Sequence, residues 1–140
     1  MSDTMTREEL IFKASCKNQK CLTQILNRLE RKLSAPVFRE TFKTITCDNG
    51  CEFTDMQAIE KSIYNKVMKR TKVYYCHPYN ASERGSNENA NKLIRRWIPK
   101  GSHISEFTDQ YINELQDWIN NYPRKIFNYL SANEYKELVA

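Results

Sequence analysis

Two acidic residues occupy positions from which a carboxylate could do chemistry. Asp48 follows the β-branched and aromatic run FKTITC within Phe42 to Gly50, a pattern that predicts a strand ending in a tight Asp-Asn-Gly turn. Glu88 lies in the first turn of a predicted helix, inside the stretch ERGSNENANKLIRRW. Mg²⁺ prefers oxygen ligands, often one or two carboxylates completed by phosphate oxygens. If the two carboxylates converge, they predict a divalent-metal site.

Each acid also has a simpler interpretation. Asp48 can be a turn former, because aspartate and asparagine favour such turns. Glu88 can simply complement the positive end of its helix dipole, which stabilises a helix by about 0.3–1 kcal/mol. The residue types alone leave both interpretations open.

The helix that carries Glu88 has two different faces. Its apolar stripe consists of Ala90, Leu93, Ile94, Trp97 and Ile98. Its polar stripe places Glu88 beside Asn91, Lys92 and Arg95, at helical spacings of three, four and seven residues. Cations beside a metal-binding acid could hold a nucleic-acid backbone. The DNA-binding candidates are Arg84, Asn91, Lys92, Arg95, Arg96 and Lys100, and the alternative is an ordinary solvated face.

The remaining pattern predicts an α/β protein. A weak strand is expected over Glu8 to Ala14, a helix over Asn18 to Leu33 and a helix capped by Thr54 or Asp55. A basic loop from Lys66 to Lys72 leads into the strand KVYYCHPY, and the last long helix runs from about Glu106 to Tyr122. The order β-α-β-α-β-α-α indicates a layered α/β domain.

Composition limits the protein class. The chain has 140 residues, a formal net charge of +5 and 40% hydrophobic residues, which suits one globular domain that tolerates an anionic partner. No secretion signal or membrane span is predicted, so the expected location is the cytoplasm. Five cysteines without a secretion signal favour reduced thiols over a disulfide framework or a Cys47–Cys51 zinc site.

Three stretches together resemble a known family. TITCDNGCEF, YYCHPYNASERGSNENANKLIRRWIPKG and INNYPRKIFNYLSANE look like the catalytic core of bacterial DDE transposases of the insertion-sequence-thirty type. The resemblance implies a ribonuclease-H-like, integrase-core fold, with Asp48 and Glu88 as catalytic ligands of Mg²⁺ or Mn²⁺. It also implies a function in DNA integration and recombination, with transposon ends and target DNA as partners. The full-length protein is expected to form a homo-oligomer and to be located at the bacterial nucleoid. The expected division is a core over about 8–125 and a C-terminal extension over 126–140.

The resemblance also exposes differences from the family. The family's first catalytic aspartate has no match here, because Asp3, Glu8 and Glu9 do not fit its motif. The chain is therefore expected to be an N-terminally truncated part of the core. Two functions remain open: a metal-dependent DNA transposase, or an inactive remnant that folds and binds DNA or a full-length transposase. A general basic nucleic-acid-binding module, using Tyr74, Tyr75 and Tyr79, is a third interpretation.

Overall fold

The computed structural model describes residues 1–47, 50, 53–65, 67–76 and 81–140, and at 81–84 and 86 it describes the backbone alone. The chain divides into two compact units. We call Ala14–Asn80 the sheet unit, and Met1–Lys13 together with Ala81–Ala140 the helical unit. The mixed α/β class is confirmed, while the assignment of a core and a C-terminal extension stays a prediction.

The sheet unit begins with two helices that meet at a sharp break. Helix α1 spans Gln19–Leu33, and the side chain of its N-cap Asn18 accepts a hydrogen bond from the Cys21 amide. Ser34 has φ 71°, which ends α1, and α2 follows at once over Ala35–Thr41. The predicted first helix and its break are confirmed. The sequence pattern did not predict α2.

A parallel pair of strands forms the centre of the sheet unit. Strand β1 spans Thr44–Cys47 and β2 spans Lys72–Tyr75, and Cys47 pairs with Tyr75 at their carboxyl ends. Helix α3, over Met56–Glu60, lies between them in sequence and is capped by Asp55, as predicted. Because parallel strands need a crossover connection, these three elements make one β-α-β unit.

The core of the sheet unit is built from the apolar faces of these elements. Side chains from α1, α2, β1, α3 and β2 meet in one buried cluster, whose fully buried members are Leu26, Phe38, Cys47, Ile59 and Val73. Full burial of a leucine, isoleucine or phenylalanine side chain contributes about 1.5–3 kcal/mol. This cluster therefore fixes the two strands against the helices.

The helical unit contains three further helices: α4 over Ala81–Trp97, α5 over Asp109–Asn120 and α6 over Ala132–Val139. Thr108 caps α5, and Ile104–Glu106 form a separate 3-10 turn, so the long helix predicted from Glu106 is shorter at both ends. The predicted apolar stripes of α4 and α5 pack together around the buried residues Ile98, Ile112, Leu115 and Ile119.

The strand predicted over Glu8 to Ala14 is wrong. The described chain has only an isolated bridge there, between Ser2 and Glu9. The amide of Glu9 donates to Asn120 Oδ1 at 2.8 Å, and Asn120 Nδ2 donates back to the Glu9 carbonyl at 3.0 Å. The amide of Ile11 donates to Gln116 Oε1 at 2.8 Å. Side-chain amides of α5 thus satisfy main-chain groups that a neighbouring strand would otherwise pair.

The cysteine prediction is wrong at one pair. Cys16 and Cys21 form a disulfide bond that brackets the N-cap of α1. Cys47 and Cys76 are buried thiols, as expected for small hydrophobic residues. Cys51 lies outside the described residues, and with it one half of the Cys47–Cys51 zinc pair.

No helix in the described ranges combines the length and the apolar character that a membrane crossing requires.

Candidate metal site and basic helix face

Asp48 follows directly after strand β1 but lies outside the described residues. Its neighbour Cys47 ends β1, and the Cys47 carbonyl accepts a hydrogen bond from the Cys76 amide at 2.9 Å. The carboxyl ends of β1 and β2 therefore lie side by side. In open α/β sheets this edge is where ligands bind. The role of Asp48 as a metal ligand stays a prediction.

Glu88 is exposed and is the eighth residue of α4, which begins at Ala81, so the prediction that it lies in the first turn of its helix is wrong. Among the residues that the structure describes, its carboxylate forms no hydrogen bond and no ion pair. The neighbouring Asn87 and Asn89 are exposed too. The carboxylate is therefore available to solvent and to a cation. Its ligand role also stays a prediction.

The contact between α4 and α5 fixes the orientation of the polar stripe. Trp97 packs against Tyr111 and Trp118, with ring centroids 5.4 and 5.6 Å away. The Tyr111 hydroxyl donates to the Trp97 carbonyl at 3.0 Å. Since the apolar stripe is held against α5, Glu88 and its polar neighbours are turned away from this core. The helix periodicity that predicted two faces is confirmed.

The predicted DNA-binding residues differ in their surroundings. Asn91, Lys92, Arg95 and Lys100 are exposed. Arg96 is exposed but lies over the Tyr122 ring, with its guanidinium carbon 5.6 Å from the ring centroid and Nη1 3.4 Å from the hydroxyl oxygen. The side chain of Arg84 lies outside the described residues. Four of the six candidates thus present unobstructed polar groups to solvent.

The three acids that precede the sheet unit have other partners. Asp3 Oδ1 accepts hydrogen bonds from the Met5 and Thr6 amides, both at 2.7 Å. Glu8 forms an ion pair with Lys136 at 2.7 Å. Glu9 is buried and accepts a hydrogen bond from the Ser2 hydroxyl at 2.7 Å. The absence of a match to the family's first aspartate stays a prediction.

No group of three or more His, Cys, Asp and Glu residues suited to a metal ion occurs within the described ranges. Asp48 lies in a gap of those ranges, as does His77. His103 precedes the 3-10 turn at Ile104–Glu106 and makes no side-chain cap there.

The chain is similar to transposases of bacterial insertion sequences. It is 43% identical over 97 residues to the transposase for insertion sequence element IS4351 from Bacteroides fragilis, covering 69% of this chain and 28% of the relative. It is 30% identical over 135 residues to the transposase InsI for insertion sequence element IS30C from Escherichia coli K12, covering 96% of this chain and 33% of the relative. This chain belongs to the insertion-sequence transposases of the IS30 type.

A probable transposase for insertion-like sequence element IS1161 from Streptococcus salivarius is 40% identical over 96 residues, or 69% of this chain and 25% of the relative. The chain thus spans about a quarter to a third of the length of these curated relatives. No protein-family model matches it. The resemblance to the insertion-sequence-thirty type is confirmed.

The sequence pattern did not predict a buried polar network in this chain. Arg70 was predicted to lie in a basic loop, but it is fully buried and donates to Glu30, Asn27 and the Ile59 carbonyl. Glu60 is also buried and accepts hydrogen bonds from Lys69 and from the Val73 amide, and these contacts lower its pKa. The network joins residues up to 43 positions apart in the sequence, and a local sequence pattern does not predict contacts between residues so far apart.

Helix α6 was missed as well, although the sequence does contain its signal. The Ser131 side chain accepts from the Glu134 amide, and the Glu134 carboxylate accepts from the Ser131 amide. This capping box has the Ser-x-x-Glu spacing that marks a helix start.

Proposed function

We propose that this chain is the catalytic-core part of a DDE transposase with a ribonuclease-H-like fold, which cuts and joins DNA phosphodiesters with a divalent metal. The kinship with insertion-sequence transposases is the observation that carries the proposal. The order of elements supports it further: Asp48 directly follows a strand of a parallel pair, and Glu88 lies on the helix that comes after the second strand.

The proposed metal ligands have suitable chemistry. Asp48 and Glu88 offer carboxylate oxygens, which hard cations such as Mg²⁺ and Mn²⁺ prefer. The exposed carboxylate of Glu88, without a partner in the described part of the chain, fits a role that requires a free oxygen ligand. Once bound, the metal would activate a water or a DNA 3′-hydroxyl for in-line attack on a phosphodiester.

The chain's own contribution is to bind and orient the DNA backbone. Lys92 and Arg95 follow Glu88 by four and seven positions on one face of α4. A helix rises about 1.5 Å per residue, so a positive charge lies within about 6 Å along the axis from the acid. Lysine meets a phosphate as a point charge and arginine can grip two of its oxygens. The phosphate would therefore be held next to the metal ligands.

The experiment measures binding of a short labelled DNA duplex to the 140-residue chain by fluorescence anisotropy, in Mg²⁺ and in EDTA. Mg²⁺ is expected to raise the affinity of the unmodified chain by roughly tenfold, or about 1.4 kcal/mol. Asp48→Asn with Glu88→Gln should abolish this dependence. In EDTA the same variant should bind slightly more tightly, because two negative charges near the phosphate are gone.

Asp109→Asn with Glu106→Gln is the matched control, since both acids are exposed and lie elsewhere in the helical unit. This control should keep the full response to Mg²⁺. A response to Mg²⁺ that survives in the Asp48→Asn, Glu88→Gln variant would overturn the proposed metal site. Strand transfer is not expected from the 140-residue chain alone, because it contains no match to the family's first aspartate. Strand transfer by this chain would overturn the inactive-remnant alternative.

The same proposal assigns transposon ends and target DNA as partners, assembly of full-length copies into homo-oligomers, and a location at the bacterial nucleoid in the cytoplasm. These assignments rest on the family and on the basic face of α4.

A further inference from the structure

The connection between α3 and β2 forms a closed loop. Lys61 and Lys69 make an isolated antiparallel bridge, so the chain leaves and re-enters at neighbouring points. We call the described residues of this connection, 61–65 and 67–69, the bridge loop. It belongs to the sheet unit and lies outside the helix that carries Glu88.

The base of the bridge loop is firmly attached to α1. Ser62 is buried, and its hydroxyl donates to Glu30 Oε1 while accepting from the amides of Tyr64 and Asn65. The Ile63 amide donates to Glu30 Oε2 at 3.1 Å. A buried carboxylate thus holds the first residues of the loop in place.

At the far end of the bridge loop, one side chain accepts hydrogen bonds from two main-chain amides. Asn65 Oδ1 accepts hydrogen bonds from the Val67 and Met68 amides, at 2.9 and 3.0 Å. This turn displays apolar side chains to solvent: Val67 is 94% exposed, Met68 52% and Tyr64 61%. Tyr64, Val67 and Met68 thus give the loop three exposed large apolar side chains within five positions.

The segment that carries this apolar tip is strongly positive. Residues 61–72 contain no acid and five cations, namely Lys61, Lys66, Lys69, Arg70 and Lys72. Arg70 forms a buried ion pair with Glu30, and Lys69 forms an ion pair with Glu60. Lys61 is exposed at the base of the loop, and Lys72 is exposed at the start of β2, with its ammonium 5.0 Å from the centroid of the Tyr74 ring. An apolar tip flanked by lysines complements a duplex whose phosphates surround stacked, apolar bases.

We propose that the bridge loop is a DNA-contacting wedge, in which Val67 and Met68 press against a base step in the minor groove while Lys61 and Lys72 contact the flanking phosphates. Apolar side chains inserted in this way unstack a base step and bend the duplex. The inference rests on the proposed function only in taking DNA as the partner. It adds a second contact surface, separate from the metal ligands, and a bent form of the bound DNA.

The experiment uses a duplex labelled with a fluorescent donor and acceptor at its ends and with 2-aminopurine at central steps. Binding of the unmodified 140-residue chain should raise energy transfer and brighten the 2-aminopurine. Val67→Ser with Met68→Ser should lose both signals while its affinity falls by less than about tenfold, because phosphate contacts supply most of non-specific binding. Lys61→Gln should retain the bend and lower the slope of log affinity against log salt by about 1.

Val37→Ser with Val139→Ser is the matched control, because these two valines are 45% and 50% exposed on α2 and α6. It should bend DNA like the unmodified chain, and circular dichroism should show that both double variants are folded. Equal energy transfer in the Val67→Ser, Met68→Ser variant and in this control would overturn the wedge. The wedge would also be overturned if the Val67→Ser, Met68→Ser variant differed from the unmodified chain only in self-association, because the loop would then contact a protein partner.

The outcome separates this inference from the proposed function. If DNA bending depends on Val67 and Met68 but DNA affinity does not respond to Mg²⁺, the wedge is supported and the metal site is refuted. If DNA affinity responds to Mg²⁺ through Asp48 and Glu88 but the duplex stays unbent, the metal site is supported and the wedge is refuted.

Discussion

Arg70 and Glu30 form an ion pair inside the sheet unit, with Arg70 Nη1 3.4 Å from Glu30 Oε2 and both side chains fully buried. The guanidinium also donates to Asn27 Oδ1 at 2.6 Å and, through Nε, to the Ile59 carbonyl at 2.7 Å. Burial lowers the pKa of Arg70, while the nearby charge of Glu30 acts in the opposite direction. The pair ties α1 to the carboxyl end of α3 beneath the bridge loop.

Replacing Arg70 by methionine should destabilise the chain by about 3–5 kcal/mol, because it leaves the Glu30 carboxylate buried without its cation. Urea unfolding followed by circular dichroism measures this loss. Arg28→Met, at an exposed position of α1, is the control and should change stability by less than about 0.5 kcal/mol. An Arg70→Met chain as stable as the control would show that the pair contributes little.

Glu9 should make stability depend on pH. Burial raises the pKa of its carboxyl group, and this outweighs the lowering by the Ser2 hydrogen bond and by nearby positive charges, including Arg124 and Arg7. Because the pKa of Glu9 is higher in the folded chain than in the unfolded chain, protonation of Glu9 favours folding. This contribution to the free energy of unfolding is fully present below the pKa of the unfolded state and is lost as pH rises through the pKa of the folded state. Glu9→Gln should therefore gain melting temperature relative to the unmodified chain as pH rises from about 4 to about 8.

Glu137→Gln provides the comparison for Glu9→Gln, since Glu137 is exposed on α6. Its melting temperature should follow that of the unmodified chain at every pH. If Glu9→Gln also runs parallel to the unmodified chain across the interval, burial does not perturb Glu9 in solution.

Lys92 and Arg95 should act as phosphate contacts. Replacing both by glutamine should weaken DNA binding about equally for any sequence and reduce the slope of log affinity against log salt by about 2, since each phosphate contact releases roughly one counterion. Anisotropy titrations at several salt concentrations give the slope. Lys20→Gln with Lys32→Gln changes two exposed cations of α1 and serves as the matched control. A slope that changes as much in the control would assign the effect to net charge and not to the α4 face.

The sequence predicted the elements whose pattern is local. The stripe from Leu22 to Leu33 located α1, the β-branched run before Asp48 located β1, and the spacing from Ala90 to Ile98 identified the buried face of α4. Each of these depends on side chains within a few turns of one another. Local periodicity is sufficient to predict such elements.

Features that depend on distant partners could not be predicted in the same way. The Glu8 to Ala14 segment has strand-like residues, but Asn120 and Gln116 supply its hydrogen bonds from a helix more than a hundred positions later. Arg70 lies in a basic stretch typical of a surface loop, but acceptors from Glu30, Asn27 and the Ile59 carbonyl make its burial possible. Long-range pairing overrides local propensity at both places. The site residues were named from motif and family, and their convergence stays a prediction.

The most direct test of the account asks whether Asp48 and Glu88 hold the same metal ion. Iron(II) would replace magnesium in the 140-residue chain, and ascorbate with hydrogen peroxide would generate radicals that cut the backbone beside the bound iron. Mass spectrometry of the fragments should show cuts near residue 48 and near residue 88, both suppressed by excess Mg²⁺ and both lost in Asp48→Asn. Cuts near residue 88 that persist in Asp48→Asn, or cuts near only one of the two acids, would contradict a shared metal site.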